Sequence, residues 1–245
     1  MEKTLSIIIP AYNEEKTIEK LLKIVKSVSL GKYIKKEIIV IDDGSKDNTV
    51  DVIKKVQRLM KEVKLFEHIK NAGKGFAIRT GIKHATGDII IIQDADLEYD
   101  PYEYPQLIKP ILKGETKIVY GSRYLNNSQK TEFKNFMKKH NSGYTLAYLG
   151  GRFLTLLTNI LYNAKITDEP TCYKVFDAKV LKSINLKCKR FEFCPEVTAK
   201  VLKKGYIIKE VPISYKPRTF EEGKKINWKD GVHAIWTLIK YRFYD

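Results

Sequence analysis

Two groups of acidic residues stand where apolar runs end, and they are the side chains best suited to chemistry in this chain. Asp42 and Asp43 follow a run of Ile and Val residues, while Asp94, Asp96 and Glu98 come just after a run of four isoleucines. Such runs are typical of buried parallel strands, and open α/β sheets bind their ligands at the carboxyl ends of these strands. If strand geometry continued through the second group, its three carboxylates would point the same way.

The crowding of Asp94, Asp96 and Glu98 has two interpretations. Like-charged carboxylates repel one another unless a cation or a proton joins them, and a hard divalent metal would satisfy all three. A metal of that kind would in turn indicate a substrate that carries phosphate. A solvated acidic loop after a strand is the alternative, and both interpretations fit the spacing.

The first 93 residues alternate between apolar runs and stretches of helical periodicity, in the order β-α-β-α-β-α-β. This order favours a parallel sheet joined by right-handed crossovers, with helices on its faces. We therefore expect an α/β fold. The predicted strands are 5–9, 37–41, 63–69 and 88–93, and the predicted helices are 14–28, 50–60 and 73–84.

The pattern becomes less regular in the second half of the chain. The final stretch places Val232, Ile235, Trp236, Ile239 and Phe243 on one side of a helix. That apolar face suits either a membrane interface or packing on the core, and both alternatives stay open here. The other predicted elements are helices at 102–113, 144–162 and 196–204, strands at 117–121, 174–176 and 207–215, and loops at 126–140 and 217–227.

The chain is strongly basic, with 45 Lys and Arg residues against 29 Asp and Glu residues among 245, a formal net charge of +16. This excess predicts an anionic partner such as a nucleotide or an anionic membrane surface, although a lysine-rich composition alone would also produce it. The basic residues are scattered, and the sequence contains no groove-reading helix or RNA-stacking motif. We therefore exclude nucleic acid as a partner.

Cysteine usage and the lengths of the apolar runs indicate the compartment. Cys172, Cys188 and Cys194 form no CxxC pair, which suits a reducing compartment. The N-terminus runs straight into a predicted strand without a signal peptide, and no apolar run approaches the ~20 residues that span a bilayer. We expect a cytoplasmic protein that is soluble or attached to the cytoplasmic face of a membrane.

The segment Asn71–Gly75 has the glycines of a phosphate-binding loop but not its full pattern. Lys74 is followed by glycine and phenylalanine, where a Walker A loop requires Ser or Thr. The turn after the first predicted strand, 10–14, holds no glycine fingerprint, which excludes a dinucleotide-dependent dehydrogenase. Lys74 is still suited to meet a phosphate group as a point charge.

Several short motifs occur along the chain in the order of one known family. They are Ile9-Pro10-Ala11-Tyr12-Asn13-Glu14, Asp42-Asp43-Gly44-Ser45, Asn71-Ala72-Gly73-Lys74-Gly75, Asp94-Ala95-Asp96, Gly121-Ser122-Arg123, 167–176 and Glu210-Val211-Pro212-Ile213-Ser214-Tyr215. The chain resembles a family 2 glycosyltransferase of the GT-A fold, and most of all the branch of dolichyl-phosphate mannose and glucose synthases. The resemblance covers nearly the whole chain. It implies a Rossmann-like, mostly parallel sheet flanked by helices over 1–227, with an amphipathic helix at 228–245.

The resemblance implies which residues bind the donor, a nucleoside diphosphate sugar. The Asp-x-Asp motif Asp94-Ala95-Asp96 would contact the donor and a Mg²⁺ or Mn²⁺ ion, with Glu98 as a further metal-facing residue. The other donor-binding residues would be Pro10, Tyr12, Glu14, Asp42 and Asp43 at the nucleoside and Lys74, Arg218 and Lys224 at the diphosphate.

The resemblance also implies an acceptor and a reaction. Arg123 and Arg152 would bind the phosphate of a polyprenyl (dolichyl-type) phosphate, and Asp96, Arg123 and Arg218 would be the catalytic residues. The reaction would be inverting, metal-dependent transfer of a hexose from a donor such as GDP-mannose or UDP-glucose, with the leaving diphosphate stabilised by opposite charge. A membrane surface and a membrane-protein subunit would be further partners.

Two other functions fit the residues. Transfer to a soluble glycan or another hydroxyl acceptor would need a carboxylate base, for which Glu196 is the candidate. A non-catalytic subunit that binds a nucleotide sugar is the second. The intact Asp-x-Asp motif, together with Arg218 and Lys224, argues against it.

Overall fold

Runs of isoleucine and valine form the strands of one sheet in the computed structural model, which describes residues 2–125, 142–218 and 228–244. These strands are β1 (Lys3–Ala11), β2 (Ile34–Asp42), β3 (Val63–Glu67), β4 (Ile89–Ile92), β5 (Ile118–Ser122), β6 (Lys174–Asp177) and β7 (Ile208–Pro212). Within the described residues they lie in the order β3-β2-β1-β4-β6-β5-β7. The first four strands in the chain are thus neighbours in one half of the sheet.

The sheet is mostly parallel. β1 pairs in parallel with β2 and β4, β2 with β3, and β5 with β7. Among the strands described, β6 alone runs antiparallel, between β4 and β5. Ile8 of β1 lies between Ile39 of β2 and Ile92 of β4, so the carboxyl ends of these three strands meet at one edge. The predicted mostly parallel α/β sheet is confirmed.

Helices cover both faces of this sheet. They are α1 (Ile18–Ser27), α2 (Thr49–Leu59), α3 (Lys74–His84), α4 (Tyr104–Leu112, preceded by the 3-10 helix Pro101–Glu103), α5 (Ser142–Tyr162), α6 (Ala178–Lys182), α7 (Phe193–Lys203) and α8 (Trp228–Phe243). Side chains of α1, α2 and α4 share a core with Ile7 and Ile9, while those of α3, α6 and α7 share a core with Ile8. Because β1 is buried on both faces, its sequence is a continuous apolar run rather than an alternating one.

The last predicted strand is longer than the strand in the structure. The strand predicted at 207–215 ends at Pro212, because the following segment turns toward the loop after β4. There, the backbone N–H of Ser214 donates to Glu103 and that of Lys216 donates to the carbonyl of Glu98. The predicted loop 126–140 and most of 217–227 lie outside the described residues.

The helix α8 packs on the domain through a face that its sequence pattern did not single out. Its buried residues are Ala234, Thr237, Leu238 and Tyr241. Ala234, Leu238 and Tyr241 form a small core with Leu154 of α5 and Ala199 of α7. Val232, Trp236 and Phe243 of the predicted apolar face are 56%, 57% and 69% exposed. Core packing of that face, one of the two alternatives, is therefore wrong for these three residues.

None of the helices in the described part of the chain is both long enough and apolar enough to cross a bilayer.

Gln93, the residue after β4, is fully buried and joins three elements. Its Oε1 accepts hydrogen bonds from the hydroxyl groups of Tyr104 and Tyr173, both at 2.7 Å. Its Nε2 donates to the carbonyl of Asp94 at 2.9 Å. The amide thus links α4 and the segment before β6 to the first residue of the acidic group.

Replacing Gln93→Leu should lower the free energy of unfolding by about 2–4 kcal/mol, because two buried hydroxyl groups lose their acceptor. Urea unfolding followed by circular dichroism measures the change. Gln106→Leu is the matched control, since the Gln106 side chain is exposed and makes only a solvent-exposed hydrogen bond to the carbonyl of Pro212, and it should change stability by less than about 1 kcal/mol. Equal losses in the two variants would contradict the structural role of Gln93.

Candidate active site

The carboxyl ends of β1, β2 and β4 carry most of the predicted donor-binding residues. Pro10 lies at the end of β1, with Tyr12 and Glu14 in the loop that follows. Asp42 is the last residue of β2, and Asp94 comes two residues after the end of β4. Because these strands are parallel neighbours, the sheet brings their loops to one crevice, as open α/β sheets do.

The second acidic group lies on a turn, so strand geometry does not continue through it. β4 ends at Ile92, and Leu97 adopts the left-handed conformation with φ of 62°. A leucine in this conformation is strained by about 1–3 kcal/mol and persists only where its surroundings hold it. The N–H of Glu98 donates to Oδ1 of Asp96 at 3.1 Å, which closes the turn.

Arg218 brings carboxylates from two loops around one guanidinium group. Nη2 lies 2.9 Å from Oδ2 of Asp96, Nη1 lies 3.5 Å from Oε2 of Glu14, and Nε lies 3.8 Å from Oε1 of Glu98. Glu98 also accepts from the backbone N–H of Arg218 at 2.8 Å and from the hydroxyl of Tyr215 at 2.9 Å. Glu98, a predicted metal-facing residue, therefore anchors the segment that carries Arg218.

Lys74 is the cation beside Asp94. Its Nζ lies 2.6 Å from Oδ1 of Asp94 and 3.2 Å from Sγ of Cys172. Burial disfavours the charged amine, yet the Asp94 carboxylate holds the pKa of Lys74 well above its usual value. Gly73 starts the helix here with φ of 98°, and a side chain at this position would collide with the carbonyl of Lys189.

The charges on the acidic turn fit a divalent cation. Burial raises the pKa of Asp96 to about 7, and the carboxylates of Asp94 and Glu98 add to the shift while Arg218 opposes it. Within the described residues, no three His, Cys, Asp or Glu side chains converge on one metal position. Mg²⁺ often takes only one or two carboxylates from the protein and the rest from substrate phosphates and water. Asp94 and Asp96 fit that pattern.

Asp42 and Asp43 organise the loops around the predicted nucleoside site. Asp42 accepts hydrogen bonds from two backbone N–H groups of the turn that follows it. Asp43 accepts from the N–H groups of Ala72 and Gly73 at 3.0 and 2.7 Å, and its Oδ1 lies 2.7 Å from Nδ1 of His68. Both carboxylates are buried, and their contact with a nucleoside stays a prediction.

Arg123 forms a two-pronged ion pair with Asp168. Its Nε and Nη2 donate to the two carboxylate oxygens, each at 2.7 Å, and its backbone N–H donates to Oδ2 at 3.0 Å. Burial disfavours the guanidinium charge, but the fully buried Asp168 holds the pKa of Arg123 well above its usual value. Such a fork fixes the guanidinium plane. In the described part of the chain, Nη1 of Arg123 donates to no other group.

Arg152 reaches the same region from α5. Its Nη1 donates to the carbonyl of Thr167 at 2.8 Å, and its guanidinium lies 4.9 Å from the ring centre of Tyr124. The guanidinium of Arg123 lies 5.7 Å from the same ring and 4.9 Å from the ring of Tyr215. The structure therefore brings the two predicted acceptor arginines together against one tyrosine.

Three residues beside these arginines had no predicted role. Asp168, Tyr124 and Tyr215 contact the predicted arginines directly. Asp168 belongs to the motif 167–176 that supported the family resemblance, and adjacent Asp and Glu residues in that motif were the available signal. Tyr124 directly follows Arg123, but an aromatic residue next to an arginine has no distinctive pattern.

Two other predicted residues do not take part in the described site. Lys224 lies outside the described residues. Glu196, the candidate base for a hydroxyl acceptor, is fully buried in α7. Its Oε1 lies 2.6 Å from Nζ of Lys200 and accepts from the N–H of Lys187. This carboxylate takes part in a buried ion pair.

Comparison with known proteins identifies the class of enzyme. The model of the family described as "Glycosyl transferase family 2" matches residues 6–184, a segment that carries the acidic turn, Lys74, Arg123 and Asp168. The chain belongs to glycosyl transferase family 2. The predicted enzyme class is confirmed.

Relatives of known name narrow the branch. UDP-N-acetylglucosamine–dolichyl-phosphate N-acetylglucosaminyltransferase of Methanococcus voltae is 33% identical over 255 residues, which cover 97% of this chain and 96% of that protein. A dolichyl-phosphate beta-glucosyltransferase of Trichomonas vaginalis is 29% identical over 221 residues, which cover 86% of this chain and 65% of that protein. The predicted resemblance to the dolichyl-phosphate branch is confirmed.

Solved structures support the fold. Glucosyl-3-phosphoglycerate synthase from Mycobacterium tuberculosis, in complex with Mn²⁺, UDP and phosphoglyceric acid, matches with a TM-score of 0.70 and 18% identity over 99% of this chain and 80% of that chain. The same enzyme in complex with Mg²⁺ and UDP matches with a TM-score of 0.68. The predicted GT-A fold is confirmed.

Glu169, next to Asp168, is a buried acid that titrates near neutral pH. It is fully buried, and neither carboxylate oxygen has a hydrogen-bond partner among the residues described. Burial raises the pKa of Glu169 from 4.5 to about 7, opposed by the Lys174 ammonium group and reinforced by Cys194. A raised pKa in the folded state stabilises the fold fully below pH 4.5, and this contribution is lost as the pH rises through 7.

Glu169→Gln should therefore flatten the dependence of stability on pH. At pH 8 the variant should exceed the wild type in unfolding free energy by on the order of 1–3 kcal/mol, and the difference should be much smaller at about pH 4.5. Urea unfolding across this pH range measures it. Glu67→Gln, at an exposed position of β3, should leave the profile unchanged. A Glu169→Gln profile parallel to the wild type would contradict the prediction.

Proposed function

We propose that this enzyme transfers a sugar from a UDP-linked donor to a polyprenyl phosphate, with inversion at the anomeric carbon and with a divalent metal. One observation carries the proposal: the guanidinium groups of Arg123 and Arg152 both lie against the ring of Tyr124. Guanidinium groups match phosphate oxygens in geometry and charge, so two of them favour a phosphate acceptor over a hydroxyl acceptor.

A UDP-linked sugar is the donor that the relatives favour. The Methanococcus voltae protein is named for UDP-N-acetylglucosamine, and the Mycobacterium tuberculosis enzyme has been solved with UDP-glucose. Both names support UDP-N-acetylglucosamine or UDP-glucose over GDP-mannose. In the proposal, Pro10, Tyr12 and the loops organised by Asp42 and Asp43 hold the nucleoside.

The cations beside the acidic turn suit a leaving diphosphate. As the bond from the anomeric carbon to the diphosphate breaks, its electron pair stays with the diphosphate oxygen, where negative charge grows. Arg218 lies 2.9 Å from Asp96 and Lys74 lies 2.6 Å from Asp94, so both are placed to meet this charge. A Mg²⁺ or Mn²⁺ ion held by Asp94 and Asp96 would supply Lewis-acid stabilisation of the same oxygens.

The acceptor phosphate needs no base from the protein. A phosphate monoester is anionic at neutral pH, so its oxygen forms the new bond to the anomeric carbon directly. Nη1 of Arg123 and the remaining N–H groups of Arg152 orient that oxygen opposite the diphosphate, and displacement from this side inverts the carbon. A hydroxyl acceptor would need a base, and Glu196 is buried against Lys200. That alternative is therefore the weaker one.

A lipid acceptor must be drawn from a bilayer, and two neighbouring helices expose apolar side chains. Trp228, Val232, Trp236 and Phe243 are exposed on α8, and Leu149, Phe153, Leu156 and Ile160 are exposed on α5. The two helices contact each other, and α5 also carries Arg152. An apolar helix face flanked by lysine and arginine suits the interface of an anionic membrane. We include peripheral attachment at the cytoplasmic face, through 228–245 and α5, in the proposal, and a membrane-protein subunit would be the alternative cover.

The direct test is transfer of labelled sugar from UDP-N-acetylglucosamine, UDP-glucose and GDP-mannose, each with polyprenyl phosphate and Mn²⁺. We expect transfer from a UDP-sugar to the lipid phosphate. Asp96→Asn should lower kcat by about 10²–10³-fold, because it removes a charge from the metal and diphosphate site. Asp51→Asn, on the exposed side of α2, should leave the rate unchanged.

Three outcomes would contradict this proposal. Transfer only to hydroxyl acceptors would favour the soluble-glycan alternative. UDP binding without transfer to any acceptor would favour a non-catalytic subunit. Transfer from GDP-mannose alone would exclude the UDP-linked donor.

Membrane attachment has its own test. The double variant Val232→Glu with Trp236→Glu should no longer pellet with phosphatidylglycerol vesicles, because charged side chains resist insertion at the interface. Leu59→Glu is the control, since Leu59 is 75% exposed on α2, far along the chain from both helices. If the wild type stays in the supernatant even with vesicles that contain polyprenyl phosphate, the membrane part of the proposal is wrong.

A further inference from the structure

Glu210 of β7 is an acid that the proposed mechanism does not use. In the register of the sheet it lies beside Tyr120 of β5, and β5 leads directly to Arg123. Its side chain is half-buried and turned toward the residues that precede β6. These residues contribute every hydrogen bond that its carboxylate accepts within the described structure.

The carboxylate of Glu210 fixes two consecutive residues. Its Oε2 accepts from the N–H of Thr167 at 2.7 Å and from the Thr167 hydroxyl at 2.9 Å. Its Oε1 accepts from the N–H of Asp168 at 3.0 Å. Oγ of Ser122, the last residue of β5, lies 2.6 Å from the same Thr167 hydroxyl. Thr167 is thereby bonded to both β5 and β7, and Asp168 to β7.

The same two residues hold the two arginines through their other polar groups. The carbonyl of Thr167 accepts from Arg152, and the carboxylate of Asp168 accepts from Arg123. Glu210 therefore contacts the two residues that hold both guanidinium groups. A shift of this turn would move both together, and a misplacement of about 1 Å in a site can cost about 100-fold in rate.

We propose that Glu210 is a positioning residue that sets the geometry of the acceptor-phosphate site through Thr167 and Asp168. The inference rests on the proposed function, in which Arg123 and Arg152 bind a phosphate. The positioning role requires a carboxylate at this position, because the groups that face Glu210 are hydrogen-bond donors. A glutamine in its place would turn an NH₂ group toward at least one backbone N–H and lose that bond.

Glu210→Gln is the test variant because it keeps the shape of the side chain and changes only its hydrogen bonding. We expect the KM for polyprenyl phosphate to rise about 10-fold, the equivalent of one lost hydrogen bond to a charged group. The KM for the UDP-sugar and the thermal shift produced by UDP should stay unchanged. In an Arg152→Ala background, the effect of Glu210→Gln on the acceptor KM should be smaller, because part of the group through which it acts is gone.

Glu37→Gln is the matched control. Glu37 lies near the amino end of β2, whereas the crevice lies at the carboxyl end of this strand. Its buried carboxylate likewise accepts from the backbone N–H and the hydroxyl of Thr86. Its substitution should lower the melting temperature and leave both KM values unchanged. If Glu210→Gln gives this same pattern, its role is only structural and the inference is overturned.

Binding of citronellyl phosphate, a short prenyl phosphate, separates this inference from the proposed function. Calorimetry should show binding to the wild type that weakens about 10-fold in Glu210→Gln. If that holds while no lipid-linked sugar forms, the proposed function fails and the positioning role of Glu210 stands. Equal affinity in the two proteins, or absence of binding to the wild type, overturns the inference.

Discussion

Pairing of buried charges is the constraint on which the crevice depends. Lys74 meets Asp94, Arg218 meets Asp96, and Arg123 meets Asp168, and each pair joins segments that are distant in the chain. These side chains are mostly shielded from water, and a buried charge without a partner costs several kcal/mol. In each pair one segment supplies the carboxylate and another supplies the cation, so neither segment reaches its final conformation without the other. The loops at this edge of the sheet therefore order together.

The direction of β6 explains how the two halves of the crevice come together. Because β6 runs antiparallel between β4 and β5, its first residue, Lys174, lies at the carboxyl edge of both. The segment before it, which contains Asp168, is thus delivered to the edge where the acidic turn lies. Gln93 then joins the two sides, since its amide bonds both Tyr173 and the first acidic residue. A parallel β6 would have carried this segment to the opposite edge.

Local sequence was sufficient for the order of elements and for the place of the acidic groups. Four consecutive isoleucines fit a buried strand, and acids after such a strand fall at the edge where ligands bind. The ion-pair partners could not be predicted from local sequence, because Asp168 is 45 residues from Arg123 and Arg218 is 122 residues from Asp96. The turn after β4 was also not predictable from local sequence, because the left-handed conformation of Leu97 depends on its surroundings. The buried side of α8 was missed for a similar reason, since Leu154 and Ala199, on which it packs, lie far from it in the chain.

The helix α8 has two apolar sides, and within the described residues the domain packs against only one of them. Leu238 and Tyr241 fasten it to α5 and α7, while Trp236 faces outward. Because this packing prevents α8 from rotating about its own axis, a membrane that binds Trp236 would also set the tilt of the whole domain. If the acceptor is a lipid, as proposed, the fold would also fix the distance of Arg152 from the bilayer surface. In the proposed function, the packing of α8 would then set how many prenyl carbons must leave the membrane for the phosphate to reach the arginines.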